Sequence, residues 1–507
     1  MTRPGQRGER THAVVIVGTG FAGLGMAIAL KKAGVHSFVV LEKADRVGGT
    51  WRENTYPGCA CDIRSHLYSY SFEPKPDWTR EFAPQPEILA YIEHCVEKYD
   101  LKLHIRFGKE VTGAEYDEAK AAWDVRVADG DVVRGKALVI GQGPLHVPNI
   151  PELPGLERFE GRAFHSAQWD HDYDLTGKRV AVLGTGASAI QLVPQIAPRT
   201  AHLTVFQRTA PWIMPRPDRA FTGQQIQRFQ RSKLARLAHR NLIYWLQESF
   251  VLGFEHPNLI KAAERLGRMH IARQVDDPGL RAELTPTYTL GCKRTLVSSD
   301  YYPAFNRPNV DLETSRIAEI REHSIVTAAG REIEVDAIVF GTGFHVTDAM
   351  AKADLVGREG LKIQDAWRDG IEAHLGTTVT GFPNLFFLVG PNTGLGHNSI
   401  IFMIESQVRY IISCLRLVAK QNAASIEVKP GVQDRFNRWV QQKSRGSVWL
   451  KGGCASWYLD SEGVNRSLWP ASTVNYWLRM RRVRPADFTL DRACGIDRRE
   501  ELEGAAS

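Results

Sequence analysis

The stretch Ala13-Val-Val-Ile-Val17-Gly18-Thr-Gly20-Phe-Ala-Gly23 decides the fold of this chain. Its continuous β-branched run is typical of a buried parallel strand. The three glycines allow a tight turn, a close approach of the backbone to a pyrophosphate and close helix packing. A helix to about Lys32 and a strand over 37–41 follow, and Glu42 stands 24 positions after Gly18. There a carboxylate accepts hydrogen bonds from ribose hydroxyls, so the stretch predicts a βαβ unit that binds a dinucleotide.

A second unit of the same kind begins with the strand over 179–183. Its turn is Gly184-Thr-Gly186-Ala-Ser188-Ala189, with alanine in the third glycine position. Arg208 comes 24 residues after Gly184, the distance that separates Glu42 from Gly18. Because an acid binds a ribose 2′-hydroxyl whereas an arginine accommodates a 2′-phosphate, the first site suits FAD and the second suits NADPH rather than NADH. A solvated surface arginine is the alternative interpretation of Arg208.

Composition is that of an ordinary soluble globular protein. The chain has 507 residues, which allows two to four domains, with 43% hydrophobic and 24% charged residues. Its net charge of +7 is modest and scattered, so it indicates no nucleic-acid partner. Seven cysteines in so long a chain form no disulfide framework, which favours a reducing cytoplasm. No second cysteine pair joins Cys59 and Cys61 in a zinc site, so no metal is expected.

One apolar run near the start, Val14 to Leu30, resembles a signal peptide or a short membrane span. It contains four glycines and is shorter than a typical span. The strand, turn and helix described above explain it better, so we expect no targeting segment and no stable membrane insertion.

The stretch Phe159-Glu-Gly161-Arg-Ala-Phe-His165-Ser-Ala-Gln-Trp169-Asp170 lies between the two glycine loops. It fits either a surface crossover with one packed aromatic or a hinge between two nucleotide-binding domains. Its spacing, Phe-x-Gly-x3-His-x3-Trp-Asp, resembles the fingerprint of type I Baeyer–Villiger monooxygenases. These FAD- and NADPH-dependent enzymes insert one oxygen of O2 beside a ketone carbonyl. Related flavin monooxygenases that oxidise nitrogen and sulfur atoms usually lack the tryptophan.

The resemblance extends to a loop rich in turn formers, Gly48-Gly49-Thr50-Trp51-Arg-Glu-Asn-Thr-Tyr56-Pro57-Gly58-Cys-Ala-Cys-Asp62. Taken alone, it is a long loop with a buried tryptophan, and such loops are usually functional. It resembles a second Baeyer–Villiger motif, Gly-x-Trp-x4-Tyr-Pro-Gly-x3-Asp. The resemblance implies that Gly49, Thr50 and Trp51 lie along the flavin and that Asp62 sits near the reacting ring.

Two later segments gain a role from the same resemblance. Lys293 and Arg294 are adjacent, a pattern that is usually just solvated surface. In Baeyer–Villiger enzymes a Lys-Arg pair at this point implies Lys293 on the NADP 2′-phosphate and Arg294 in the active site. In the segment 390–399, the backbone and Asn392 are expected to lie next to the flavin. His397 is either a proton shuttle or, as we expect, a loop histidine that packs beside the flavin.

The resemblance also implies a reaction, in which a flavin C4a-peroxide attacks the ketone and gives an ester or lactone, with sulfoxidation as a further reaction. Arg294 would stabilise the developing oxyanion and Asp62 would orient its guanidinium. The alternatives are an N- or S-oxygenating flavin monooxygenase, an uncoupled NADPH oxidase, and a non-catalytic NADPH-sensing module. The later part of the chain resembles the arylketone-oxidising branch of the family.

The sequence therefore predicts an α/β protein with two dinucleotide-binding, Rossmann-like domains and an inserted helical subdomain. We place the FAD domain at 1–150 and 345–507, the NADP domain at 155–214 and 285–340, and the helical subdomain at 215–284. The first ten residues are expected to be a disordered arm. The most apolar helical run, Asn241 to Leu252, fits a membrane-surface helix or a core helix, and we expect the core helix. A monomer or weak homodimer is expected.

Overall fold

The structure is a computed structural model that describes residues 11–255, 257–346, 352–454, 456 and 458–492. The arm expected over the first ten residues lies outside the described residues. The described chain forms two parallel or mostly parallel sheets, each with helices, and a group of helices inserted after the second glycine loop.

In the first half of the chain the helices and strands are β1 (His12–Val17), α1 (Phe21–Lys32), β2 (Phe38–Leu41), α2 (Thr50–Glu53), α3 (Gln85–Lys98), β3 (Ile105–Arg106), β4 (Val111–Asp117), β5 (Ala122–Val127), β6 (Val132–Ile140), β7 (Arg162–His165), β8 (Arg179–Leu183), α4 (Ala189–Ile196), β9 (His202–Phe206), β10 (Ile213–Met214), α5 (Gly223–Arg231) and α6 (Lys233–Glu255). They continue with α7 (Pro257–Gln274), α8 (Pro278–Glu283), β11 (Leu296–Val297), α9 (Tyr301–Ala304), β12 (Val310–Glu313), β13 (Ile317–Ile320), β14 (Ser324–Thr327), β15 (Glu332–Glu334), β16 (Ala337–Phe340), β17 (Leu355–Val356), α10 (Ile363–Ala366), β18 (Leu385–Phe387), α11 (Ile400–Lys420), β19 (Ala423–Val428), α12 (Pro430–Ser444), α13 (Val448–Lys451), α14 (Thr473–Met480) and β20 (Phe488–Arg492).

The first sheet has eight strands. Seven follow the order β17-β4-β5-β6-β1-β2-β3, and the eighth, β18, pairs with the C-terminal end of β6. β1 is parallel to β2 and β6, and Val15 lies between Val39 and Leu138. Strand β5 is antiparallel to both β4 and β6. β3 has two residues and pairs in parallel with β2, and Leu103 before it is exposed.

The second sheet has five parallel strands in the order β12-β9-β8-β16-β7. Its edge strand β7 belongs to the stretch 159–170, with His165 opposite Phe340. That stretch therefore enters the second sheet and is not a surface crossover. A small antiparallel sheet, β13 to β15, lies between β12 and β16 in the chain.

The inserted helices α5 to α8 come between β10 and β11, and α6 packs against α7. The expectation of a core helix over Asn241–Leu252 is wrong for one whole side of α6. Ile243 is buried, whereas Trp245 is 61% exposed and Phe250 is 59% exposed. The reason is that polar side chains occupy the buried side of α6. No helix among the described residues is long and apolar enough to cross a membrane.

A buried glutamate fixes α6 against the C-terminal part of the chain. Glu248 accepts hydrogen bonds from the backbone N–H and the hydroxyl of Thr473, both at 2.7 Å, and from the Asn398 amide at 2.7 Å. Its Oε2 also lies 3.3 Å from His397 Nε2. Burial alone raises the pKa of Glu248, but hydrogen bonds from His397, Thr473 and Asn398 outweigh it and lower the pKa from 4.5 to about 2.

We expect Glu248→Gln to lower the free energy of unfolding by about 2–3 kcal/mol at pH 7, on the scale of the shift in pKa. Because the folded pKa lies below the ordinary one, this stabilisation is complete above about pH 4.5 and is lost as the pH falls towards 2. The melting temperatures of the variant and the wild type, measured from pH 7 to pH 3, should therefore converge on the acid side. A difference that stays constant over this range would contradict the assignment.

Candidate active site

The first glycine loop is built as the sequence predicts. Gly18 has φ of +96°, and a Cβ on Gly23 would lie 1.9 Å from the Gly18 carbonyl oxygen. Glu42 directly follows β2 beside this loop and is buried. It accepts from Thr19 N–H at 3.0 Å and from the Thr19 hydroxyl at 2.5 Å, and its other oxygen is 3.1 Å from Arg52 Nη1. The acid is thus placed at the loop, and its contact with a ribose stays a prediction.

The loop after β2 lies directly against the first glycine loop. Gly49 has φ of +53°, and a Cβ on it would lie 3.0 Å from the Gly20 Cα. α2 begins at Thr50, which is exposed. Trp51 is buried, and its Nε1 donates a hydrogen bond to the Tyr68 hydroxyl at 3.2 Å. Two glycine backbones in contact leave room that side chains would fill, which fits a flat cofactor lying along them.

The same loop then docks on the second sheet's helix α4 through Gln191. The Tyr56 hydroxyl donates to Gln191 Oε1 at 2.9 Å, and the Ala60 N–H donates to the same oxygen at 3.2 Å. Gln191 Nε2 donates back to the Ala60 carbonyl at 3.0 Å. A Cβ on Gly58 would lie 2.7 Å from the Gln191 carbonyl oxygen. Sequence reasoning did not find Gln191, because nothing marks a helical glutamine as a domain contact.

The second glycine loop also turns tightly. Gly184 has φ of +108°, and a Cβ on it would lie 2.5 Å from the Gly341 carbonyl oxygen. Alanine is accepted at the third glycine position because Ala189 faces Gly341, which has no side chain. Gly186 is exposed, and Ser188 immediately precedes α4. The exposed turn and the start of α4 fit a nucleotide phosphate, although α4 is short.

Two cations from distant parts of the chain meet in one cleft. A cavity of about 310 Å³ is lined by Arg208 after β9 and by Lys293, with Thr287, Tyr288 and Cys454 beside them. Burial, and then the nearby charge of Arg208, lower the pKa of Lys293. An anion in the cleft would offset the repulsion between the two cations, and a phosphate matches their donors. The geometry therefore fits the 2′-phosphate of NADPH.

An ion pair joins the first unit to the segment that follows the inserted helices. Arg294 Nε donates to Asp62 Oδ2 at 3.0 Å, and Nη2 donates to the same oxygen. The side chains are 36% and 27% exposed, so the pair faces an open space and solvent screens it. Asp62 raises the pKa of the Arg294 guanidinium further, and burial opposes this. Arg294 is thus a fixed, permanently charged cation at the junction of the two units.

Tyr458 is a neighbour of this pair that sequence reasoning missed. It is buried, and burial raises the pKa of its hydroxyl to about 12, while the charge of Arg294 lowers it. It lies with Trp212, Tyr288 and Trp449 in a small apolar cluster. Tyr458 thus places an aromatic side chain next to the cation, which suits an apolar substrate.

A disulfide borders the cationic cleft. Cys292 is bonded to Cys454, 162 residues away, directly before Lys293 and Arg294 in the chain. The other described cysteines, Cys59, Cys61, Cys95 and Cys414, are buried and free. The sequence predicts no disulfide framework, and this single bond is not predicted either. Two cysteines 162 residues apart leave no spacing pattern that would reveal their pairing. A disulfide of this kind is rare in a reducing cytoplasm, the location that cysteine usage favours.

The residues of the stretch 159–170 have structural tasks. A Cβ on Gly161 would lie 2.5 Å from the Asp336 carbonyl oxygen, and Phe159 packs against the second unit's core. His165 is fully buried, and its ring lies edge-on to Phe344, 5.4 Å away, on the segment after β16. Burial lowers the pKa of His165, so at neutral pH the ring is uncharged.

The last two residues of the stretch 159–170 contact β7, the strand within the same stretch. Trp169 lies edge-on to Phe164 at 5.2 Å, and Asp170 pairs with Arg162 at 2.9 Å. The stretch thus shapes the edge of the second sheet, and through His165 it touches a segment between the two sheets. Its role as a hinge stays a prediction.

Asn392 and His397 lie in the loop before α11. Asn392 is buried with φ of +56°, and its amide donates to the Asn465 carbonyl at 2.9 Å. His397 is held by Glu248, as described above. The amide nitrogen of Asn392 thus holds the segment 465–468 in place. A contact between Asn392 and the flavin stays a prediction.

Metal chemistry has no candidate site in the part of the chain that the structure describes. No group of three or more His, Cys, Asp or Glu side chains there could hold an ion.

The fold and the site define a flavoprotein oxidoreductase with two dinucleotide folds and a fixed arginine between them. Residues 15–243 match the family described as pyridine nucleotide-disulphide oxidoreductase. A Baeyer-Villiger monooxygenase of Pseudomonas aeruginosa is 50% identical over 94% of this chain and 90% of its own length. One of Streptomyces coelicolor is 45% identical, over 95% and 93%.

Solved structures agree with these relatives. A cyclohexanone monooxygenase from Rhodococcus sp. Phi1 bound to NADP+ has a TM-score of 0.86 and 30% identity, and the match covers 96% of this chain and 100% of that one. An oxidized steroid monooxygenase bound to NADP has a TM-score of 0.85 and 32% identity, with the same coverage. This chain belongs to the Baeyer–Villiger monooxygenase family, as the resemblance implied.

The disulfide supports a stability prediction. Cys454→Ser should lower the melting temperature, because a bond that closes a long loop stabilises a fold by about 2–4 kcal/mol. Dithiothreitol should lower the melting temperature of the wild type and leave that of the variant unchanged. Cys414→Ser, at a buried free cysteine, is the control whose response to dithiothreitol should match the wild type. A wild-type melting temperature that reduction does not move would contradict the bond's role.

Proposed function

We propose that this Baeyer–Villiger monooxygenase uses Arg294 as the cation at the reacting carbonyl and Asp62 as its positioning partner. The enzyme inserts one oxygen of O2 next to a ketone carbonyl and gives an ester or lactone. FAD and NADPH are its cofactors. The observation that carries the proposal is the ion pair between Asp62 Oδ2 and Arg294, at 3.0 Å from Nε, at the junction of the two nucleotide-binding units.

The cofactors supply the redox chemistry: NADPH gives a hydride to the flavin, and reduced flavin activates O2. The chain's own residues would hold them. We assign the first glycine loop, Glu42 and the loop from Gly49 to Trp51 to FAD. The second loop, from Gly184 to Ser188, and the cleft of Arg208 and Lys293 are assigned to NADPH. Two cations converging on one cleft support the 2′-phosphate there.

Arg294 has the position and the charge to stabilise an oxyanion. Negative charge develops on the carbonyl oxygen as an oxygen nucleophile adds to the carbon, and a preorganised donor at that point is worth about 3–4 kcal/mol. The guanidinium uses Nε and one Nη2 hydrogen on Asp62, which leaves three N–H groups of its five. Asp62 thereby fixes the plane in which those groups lie.

The choice of ketone is a separate proposal. The aromatic cluster around Tyr458 and the resemblance of the later segments support an arylketone, whereas the solved relatives include enzymes named for cyclohexanone and for a steroid. A panel of aryl, cyclic and steroidal ketones would rank the classes by product formed.

We also propose a cytoplasmic location, where NADPH is available. We propose a monomer or weak homodimer, and light scattering would measure its size in solution.

We expect Arg294→Ala to bind FAD like the wild type and to lose product formation by about 10² or more, the effect of removing an oxyanion donor. NADPH oxidation should continue and yield H2O2, because cofactor sites are untouched. Product by gas chromatography, H2O2 and FAD content would be measured together. Arg321→Ala, at an exposed arginine of the second unit, is the control. Wild-type product yield in the Arg294 variant would refute its role.

Arg208→Ala should raise the KM for NADPH by about 10- to 150-fold, the equivalent of 1.5–3 kcal/mol for a lost charged hydrogen bond. The KM for NADH should change little, because NADH has no 2′-phosphate. Lys293→Ala should behave in the same way, and the double variant should lose most of the preference. Equal losses for both nicotinamides would show that the cleft does not bind the 2′-phosphate.

A further inference from the structure

Helix α6 presents an apolar side to solvent. Six of its large apolar residues are exposed, and we refer to them as the α6 face: Leu234, Leu237, Leu242, Trp245, Leu246 and Phe250. Their exposed fractions run from 49% for Leu246 to 78% for Leu234. Only Lys233, Asn241 and Ser249 interrupt the exposed side with polar groups. Contiguous exposed apolar surface of this kind marks an interaction site more often than scattered single residues do.

The orientation of α6 is fixed, so this face cannot rotate inward. Arg240 donates to the His66 carbonyl at 2.7 Å and to the Ser69 carbonyl at 3.0 Å. Eight residues later, on the same side of the helix, Glu248 is held by Thr473 and its neighbours. Turning the α6 face into the protein would separate the half-buried Arg240 and the buried Glu248 from their partners, which is costly.

Three of the inserted helices, α5 to α7, also carry an excess of positive charge. Between Gly223 and Gln274 there are nine lysine or arginine residues and three glutamates, a formal charge of +6. Of the glutamates, Glu248 is buried in its network and Glu264 lies 3.7 Å from Arg268. In α5 to α7 few acidic groups therefore offset the lysine and arginine side chains.

Helix α7, which packs on α6, mixes the two properties on its exposed side. Leu259, Leu266 and Met269 are exposed there. Lys261, Arg265, Arg268 and Arg273 are exposed between them. A helix pair with Trp, Phe and Leu on an exposed face and lysine and arginine beside it has the pattern of a helix that lies in a membrane interface.

We propose that the α6 face docks the enzyme on the surface of an anionic lipid bilayer. Apolar side chains would enter the boundary between headgroups and acyl chains, and the basic residues would contact the anionic headgroups. Trp245 suits this boundary because its ring is apolar with one polar edge. A second copy of the chain is the less favoured occupant, since two such positive surfaces repel each other. The proposal requires no spanning helix and does not depend on the assigned catalytic residues.

The test is sedimentation of the FAD-loaded enzyme with vesicles of phosphatidylcholine alone and of phosphatidylcholine with phosphatidylglycerol. We expect binding to the anionic vesicles, at least tenfold weaker binding to the neutral ones, and loss of binding at high salt. Trp245→Gln with Phe250→Gln should reduce binding at least tenfold and leave turnover in solution unchanged. Leu103→Gln with Leu478→Gln, at exposed leucines outside the inserted helices, is the matched control and should bind like the wild type.

A second variant, Lys261→Gln with Arg265→Gln, separates charge from apolar contact and should weaken binding to anionic vesicles alone. Several results would overturn the proposal: no sedimentation of the wild type with anionic vesicles, equal binding to neutral vesicles, or equal binding by the α6-face variant. Light scattering tests whether a second copy of the chain occupies the α6 face. A dimer that the wild type forms and that the Trp245 and Phe250 variant loses, without vesicle binding, would assign the face to a second copy instead.

Discussion

The ion pair between Asp62 and Arg294 is the interaction on which the site depends. Its two members are 232 residues apart and belong to different units of the chain. Neither side chain is deeply buried, so the pair adds little to stability. Its importance is geometric: it fixes where a permanent positive charge stands relative to both glycine loops. Every feature that holds the two units in register is therefore also a feature of the site.

Two such features act on the chain segments that carry the two members of the pair. Gln191 fixes the loop that ends in Asp62 against helix α4 through three hydrogen bonds to Tyr56 and Ala60. The Cys292–Cys454 bond fixes the strand of chain that carries Lys293 and Arg294. The first contact is polar and reversible, and the second is covalent. The asymmetry suggests that the Arg294 side is the rigid reference, against which the loop carrying Asp62 is aligned.

Sequence predicts much of this arrangement, and the reason lies in local physics. A Cβ on Gly23 would lie 1.9 Å from the Gly18 carbonyl oxygen. Such a glycine can be recognised in the sequence because no other residue fits there. Strand β1, buried on both sides, can be recognised from its continuous β-branched residues. The meeting of Arg208 and Lys293 is different. The distance from Gly184 marks Arg208 in the sequence, but only the family resemblance predicts that Lys293 lies beside it. Gln191 and the disulfide had neither a local pattern nor a recognised motif, so they were missed. The domain boundaries stay a prediction.

The exposed apolar side of α6 shows most clearly what sequence periodicity cannot predict. A helical period of apolar residues predicts that one face is apolar, and the usual inference is that this face is buried. In α6 the buried side instead holds Arg240 and Glu248, whose partners are backbone carbonyls near His66 and the hydroxyl and N–H of Thr473. Such partners are invisible in the sequence, because any lysine, arginine or glutamate on a helix looks solvated. Once buried polar groups are fully hydrogen-bonded, they outweigh the burial of a leucine face, since leaving them unpaired would cost more than exposing apolar surface. An apolar face that the fold leaves outside for this reason needs another explanation, and a surface of opposite charge outside the protein supplies one.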